Sequence, residues 1–261
     1  MALRLGQAFG DGIRRVLTRS GGILFVALLL IQFSIQATVN TAVLGFIPAG
    51  AAPQTGQMFG LTLPVSGSVA SILFLVVLVL SSAFFVALAR ALTRPMSELS
   101  TFPPELYRRR IGRATLSLIG GGLVVGIAVS IGLTLLVLPG IYLGAALLFF
   151  LFEVAVDDQR AFAAIKRSWG QTKGSRLKLS VIILLAGVVG AVVGTVGTIF
   201  DLVGSALVGE VIVTLLNSTL FILLYGIMAD AYVQLSGDNS GGLGGTGDST
   251  PVDGGVAVEQ P

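Results

Sequence analysis

The chain contains no cysteine and no histidine. Disulfides, thiolate nucleophiles, imidazole acid–base catalysis and the commonest transition-metal ligands are thereby excluded. Charge is nearly as scarce. Asp, Glu, Lys and Arg make up 11% of the residues, whereas a soluble domain carries roughly a quarter. The charges leave long gaps: Ser20 to Ala89, Ala114 to Phe152, Leu179 to Phe200 and Val211 to Ala229 hold none. A helix crosses a hydrocarbon core with about 20 apolar residues. Each of the two longest gaps therefore holds a hairpin, and each of the two shorter ones a single span.

The fold class that follows is all-α: a polytopic integral membrane bundle of six transmembrane helices with short interfacial amphipathic helices. The spans fall at about 21–47, 68–92, 114–138, 141–156, 179–200 and 211–235. With that count, all 16 Lys and Arg residues lie on one side, and the other side receives only Asp201 and Glu210. The positive-inside rule makes the basic side cytoplasmic, with both termini there, in a cell membrane. A net charge of +3 is then a matter of topology, and nucleic acid is not an expected partner.

Residues 1–19 place Leu5, Phe9, Ile13 and Leu17 on one helical stripe beside Arg4, Arg14, Arg15 and Arg19. Such a segment either lies among headgroups or packs on the rest of the protein, and the pattern fits both. In the first span Gln32, Gln36 and Asn40 share a face, which should point into the bundle as interhelical glue. Gly122 and Gly126 form a GxxxG pair, and Gly187, Gly190, Gly194 and Gly197 share a helix face. Both read as seams for close helix packing. Residues 236–261, rich in Gly and Ser with four acids and no base, read as a disordered tail.

The stretch from Leu138 to Lys178 organises the rest. Pro139-Gly140 reads as a tight turn opening a short fourth span of about 24 Å, which ends at the acidic pair Asp157-Asp158. A basic amphipathic helix follows. Phe162, Ile165 and Trp169 fall within one arc, Lys166 and Lys173 flank it, and Arg167 points the other way. Trp suits a membrane interface because it joins an apolar ring to an N–H donor, and lysine stems snorkel toward headgroups. Asp157 or Asp158 is expected to cap the helix start, and Gly170 or Gly174 its end. The run Arg108, Arg109, Arg110 is a second candidate contact for anionic headgroups or a soluble partner, although fixing orientation explains it as simply.

Taken together, Leu138-Pro139-Gly140-Ile141-Tyr142-Leu143, Val156-Asp157-Asp158, Ala164-Ile165-Lys166-Arg167-Ser168-Trp169 and Thr172-Lys173-Gly174 resemble the glycerophosphoryl diester phosphodiesterase membrane-domain family and related prokaryotic six-span proteins. The resemblance implies an integral membrane module. In that family the catalytic barrel, where there is one, is a separate domain.

Three functions compete. A non-catalytic module would organise the lipid bilayer, its anionic headgroups or other membrane proteins at the basic face. A transporter would line a path with the Gln32/Gln36/Asn40 face. A lipid-modifying enzyme would have to enlist Asp157 or Asp158 with Lys166 or Lys173, residues better explained as cap and anchor. The expectation is the module, with no catalytic residues, no metal and no cofactor.

Overall fold

The computed structural model describes residues 4–48, 59–101 and 103–242. All regular structure among them is helical. In chain order the helices are α1 (Leu5–Val16), α2 (Arg19–Phe46), α3 (Gly67–Leu92), α4 (Glu105–Arg108), α5 (Ile111–Leu135), α6 (Val137–Leu147), α7 (Phe150–Ala155), α8 (Ala161–Gln171), α9 (Arg176–Leu202) and α10 (Ala206–Gly242). Six segments are long and apolar enough to cross a membrane, with α6 and α7 together forming the fourth. This is a multi-pass membrane bundle.

Each span packs on the next in the chain, and α10 returns to α2, so the six close into a ring. The fourth span is the shortest, at 19 residues, and half of its apolar window is buried, more than in any other span. Its second half is tightly packed: Phe149 at the start of α7, and Phe150, Phe152, Val154 and Ala155 within it, are all buried. Phe152 stacks on Tyr232 of α10 with ring centroids 5.2 Å apart, and Phe149 meets the same ring edge-on at 5.5 Å. Such pairs contribute roughly 0.5–1.5 kcal/mol beyond area burial.

Packing is concentrated in the half of the bundle nearest the basic loops. In α3 every residue from Val86 to Leu92 is buried, while Ile72, Leu75, Val76, Val79 and Leu80 nearer its start are exposed. The start of α9 is likewise packed through Leu179 and Ile182, whereas Val188, Val192 and Ile199 are open. Such open apolar surfaces suit hydrocarbon, where apolar exposure carries no penalty and only backbone groups must be satisfied internally.

Two helix starts follow ordinary capping chemistry. The Thr18 hydroxyl accepts from the Gly21 amide at the head of α2, and the Ser66 hydroxyl accepts from Val69 at the head of α3. Pro139-Gly140 behaves differently from the expected turn. The reversal falls at Leu136, whose backbone is extended (φ −157°, ψ 135°), and α6 begins at Val137. Pro139 thus occupies the first helical turn, where its missing N–H removes no helical bond. Gly140 serves close approach: a Cβ built on Gly132 would lie 2.9 Å from the Gly140 Cα across the hairpin.

Two glycine seams also come out differently. Gly122 and Gly126 face open space where a Cβ would stand, and the glycine that packs is Gly121, against the Phe150 ring. Of the face on α9, Gly187, Gly190 and Gly194 are open and only Gly197 approaches a neighbour, Val213. The last helix continues to Gly242, beyond the expected end of order at 235. Residues 243–261 of the expected tail lie outside the described residues, as do 49–58 of the loop between the first two spans.

The N-terminal segment packs on α10. Its inner face is Ala8, Gly12, Arg15 and Val16, offset from the apolar stripe, of which Leu17 is 78% exposed. A Cβ on Gly12 would lie 2.6 Å from the Ile227 Cα, so only glycine admits this backbone contact.

Candidate functional site

The fourth span breaks at Leu148–Phe149, between α6 and α7. At the break the Ala146 carbonyl accepts from two hydroxyls of the neighbouring elements, Ser168 at 3.1 Å and Thr172 at 3.2 Å. Both are fully buried. Inserted side-chain donors of this kind are an established cause of a helix break. Two polar residues of the motif therefore belong to the helix packing.

Asp158 does not cap α8. The residue before that helix is Arg160, with no side-chain cap bond. Asp158 instead adopts a left-handed backbone (φ 52°), a conformation Asp tolerates better than most residues. It pairs with Arg90 at 3.1 Å and with Arg109. Arg90 is buried inside the end of α3. It donates to the Ala155 carbonyl (2.6 Å), the Leu106 carbonyl (3.2 Å) and the Arg109 carbonyl (2.7 Å) as well as to Asp158. These carbonyls lie at helix C-termini, which lack intrahelical donors and carry the negative end of the helix dipole. A guanidinium with five donors satisfies several at once.

Arg15 repeats the device. It pairs with buried Asp230 at 3.2 Å and donates to the Leu92 and Arg94 carbonyls at the end of α3. A third arginine, Arg176, lies over the Trp169 ring (4.3 Å) and the Tyr142 ring (5.0 Å). It also donates to the Trp169 carbonyl and the Tyr142 hydroxyl. Gly174 then turns the chain with φ 89°, which is why glycine stands there.

Sequence reasoning missed the first two of these arginines. The sequence pattern assigns no role to Arg90, and it leaves Arg15 in a segment that fits both headgroup contact and packing. Asn40 does act as interhelical glue: its amide donates to Glu210 at 3.0 Å and to the Leu61 carbonyl at 3.1 Å. Gln36 lines the adjoining polar pocket of about 200 Å³ with Asn40 and Glu210.

What the packing leaves over gathers beside α8. Glu153, Asp157, Lys166, Arg167, Gln171 and Ser236 line a cavity of about 700 Å³ bounded by α7, α8 and the end of α10. Glu153 is 1% exposed. Arg167 reaches both acids, with Nε 3.2 Å from Glu153 and Nη2 3.0 Å from Asp157. On the outer side of α8 stand Phe162, 79% exposed, and Trp169, 42% exposed. Arg108, Arg110, Lys166 and Lys173 are also exposed, and Arg110 has a left-handed backbone (φ 45°) at the head of α5. Among the described residues no cluster of acids has a metal-binding arrangement.

Residues 3–235 match a domain of unknown function, DUF7847. The chain belongs to that family. The match takes in every element that builds the cavity apart from Ser236. Within this DUF7847 chain the motif divides in two: Asp158, Ser168, Thr172 and Gly174 hold helices and turns, while Asp157, Lys166 and Arg167 line the cavity. No curated protein and no solved structure matches the chain.

Proposed function

We propose that this protein is a non-catalytic membrane module that gathers lipid headgroups or partner proteins at its basic end. One observation carries the reading. The cations not engaged in packing, with Arg108, Arg160 and Lys173 exposed among them, lie at the same end as exposed Phe162 and Trp169. Aromatic and basic side chains in that combination suit the headgroup layer. The basic end is then cytoplasmic and the membrane is the cell membrane. The likeness to glycerophosphoryl diester phosphodiesterase membrane domains supports a module, since the catalytic barrel there is a separate unit.

A catalytic role has less support. Asp158, the acid most like a candidate base, is engaged by two arginines. A transport role has one observation in its favour, the polar pocket at Gln36, Asn40 and Glu210 near the opposite end. Uptake of candidate solutes by liposomes carrying the protein, above empty vesicles, would establish it.

The test of the module is charge reversal at exposed positions of the basic end. The triple variant Arg108→Glu, Arg160→Glu, Lys173→Glu is expected to keep the fold and lose co-purifying anionic lipid and crosslinked partners. Unchanged recovery of both would overturn the reading.

A further inference from the structure

The cavity beside α8 has a charge pattern that selects its ligand. Glu153 and Asp157 share the single guanidinium of Arg167, so that wall sets two carboxyl groups against one guanidinium. Glu153 Oε2 is buried and receives no hydrogen bond, with Arg167 as its ion-pair neighbour. Gln171 gives its amide N–H to Ser236 at 2.7 Å, and its carbonyl oxygen is buried without a donor. That wall is short of hydrogen-bond donors. Lys166 lines the same cavity and forms no ion pair among the described residues. It supplies a positive charge that no acid of the cavity answers.

A simple anion entering here would meet two carboxylates, and a simple cation would meet Lys166. A buried carboxylate is costly to keep in a protein unless something pairs with it, and an ionisable side chain in a span that packing does not explain is a candidate for a functional site. We infer that the cavity binds a zwitterion: an ammonium that donates to Glu153, Asp157 and the Gln171 carbonyl, joined to a phosphate or carboxylate that meets Lys166. The inference rests on the module reading and narrows its ligand. Two sources carry that chemistry, the headgroup of an aminophospholipid and a free zwitterionic solute. Both can reach a cavity at the headgroup level.

Trp169, the one tryptophan of the chain, sits on α8 and reports binding by its fluorescence. Full-length protein in uncharged detergent is titrated with phosphoethanolamine, ethanolamine and inorganic phosphate, then reconstituted with vesicles of phosphatidylethanolamine or phosphatidylglycerol. Phosphoethanolamine is expected to saturate at a concentration at least about tenfold lower than either half alone. A response only to phosphatidylethanolamine vesicles assigns the lipid source, and a response to the soluble compound assigns the free solute. Glu153→Gln and Lys166→Ala are each expected to weaken binding about tenfold or more. Lys166 is exposed, so its variant tests the idea even if Glu153→Gln unfolds. Equal responses to phosphate and phosphoethanolamine, no response to any probe, or unchanged binding in Lys166→Ala would overturn the proposal. The Arg108/Arg160/Lys173 reversal separates the two readings: lost lipid recovery there with no zwitterion response ends the cavity proposal and leaves the module standing.

Discussion

Replacing Arg90 by methionine isolates a four-bond polar anchor at the basic end of the bundle. The side chain volume is nearly kept, so the change removes donors and charge without opening a large void. Four hydrogen bonds disappear, to Ala155, Leu106, Arg109 and Asp158. Asp158 keeps Arg109, which spares the protein a fully unpaired acid. The Ala155 and Leu106 carbonyls are left in buried surroundings without the guanidinium donor. A hydrogen bond to a charged group contributes roughly 1.5–3 kcal/mol, and breaking a buried pair costs about 3–5 kcal/mol. The expected loss is therefore about 3–5 kcal/mol. Reversible unfolding in mixed micelles of increasing denaturing-detergent content, followed by helical circular dichroism, measures it. Arg90→Lys should recover only part, because an ammonium cannot span acceptors placed around a planar fork. Asp158→Asn keeps a residue type that tolerates a left-handed backbone, so the Arg90/Asp158 double-mutant cycle reports the pair and not backbone strain. A loss below about 1 kcal/mol in Arg90→Met would refute the claim that this guanidinium ties the helix ends together.

Three further outcomes follow from the packing. Gly12→Leu drives a side chain into the Ile227 backbone and should free α1 from α10, seen as rapid proteolysis within residues 5–16, while Gly122→Ala meets open space and should leave the melting temperature unchanged. Ser168→Ala with Thr172→Val leaves the Ala146 carbonyl without its hydroxyl donors and should cost about 1–3 kcal/mol by the same unfolding assay. Glu210→Ala strips the acceptor from the Asn40 amide and the Leu61 N–H and should destabilise by about 1–3 kcal/mol, with Glu210→Gln restoring part of it.

The spans are readable in the chain because their signal is additive: about twenty apolar residues without charge mean the same thing wherever they pack. Arg15 and Arg90 are not readable, because the acceptors that bury them come from other helices, and no local pattern records where the Leu92 or Ala155 carbonyls end up. The glycines fail for a related reason. Spacing places Gly122 and Gly126 on one face, but which face meets a neighbour is decided by the ring of spans, and in that ring it is Gly121 that packs. Pro139-Gly140 marks the reversal a few residues late, since the chain turns at Leu136 and proline is equally at home in a turn and in the first turn of a helix. Helix α8 is readable as a helix, with Phe162 and Trp169 left exposed on it. Its buried side is not, since Ser168 and Thr172 look polar until the broken fourth span supplies their acceptor.

The same reasoning explains why the cavity lies where it does. Between helices in hydrocarbon there is no hydrophobic drive to associate, so close packing depends on interhelical hydrogen bonds and shape. Most of the polar residues that supply such bonds here, Arg15, Arg90, Asp158, Ser168, Thr172 and Asp230, stand at the basic end of the spans, and that is the half that is tightly packed. The opposite half, which includes the Asn40–Glu210 contact, exposes long apolar faces. A site that must keep a buried carboxylate such as Glu153 in fixed geometry needs rigid neighbours, and only the basic half provides them. Loosening that half through Arg90→Met should therefore weaken ligand binding at the cavity even though Arg90 does not line it. Substitutions on the open α9 glycines should leave binding untouched.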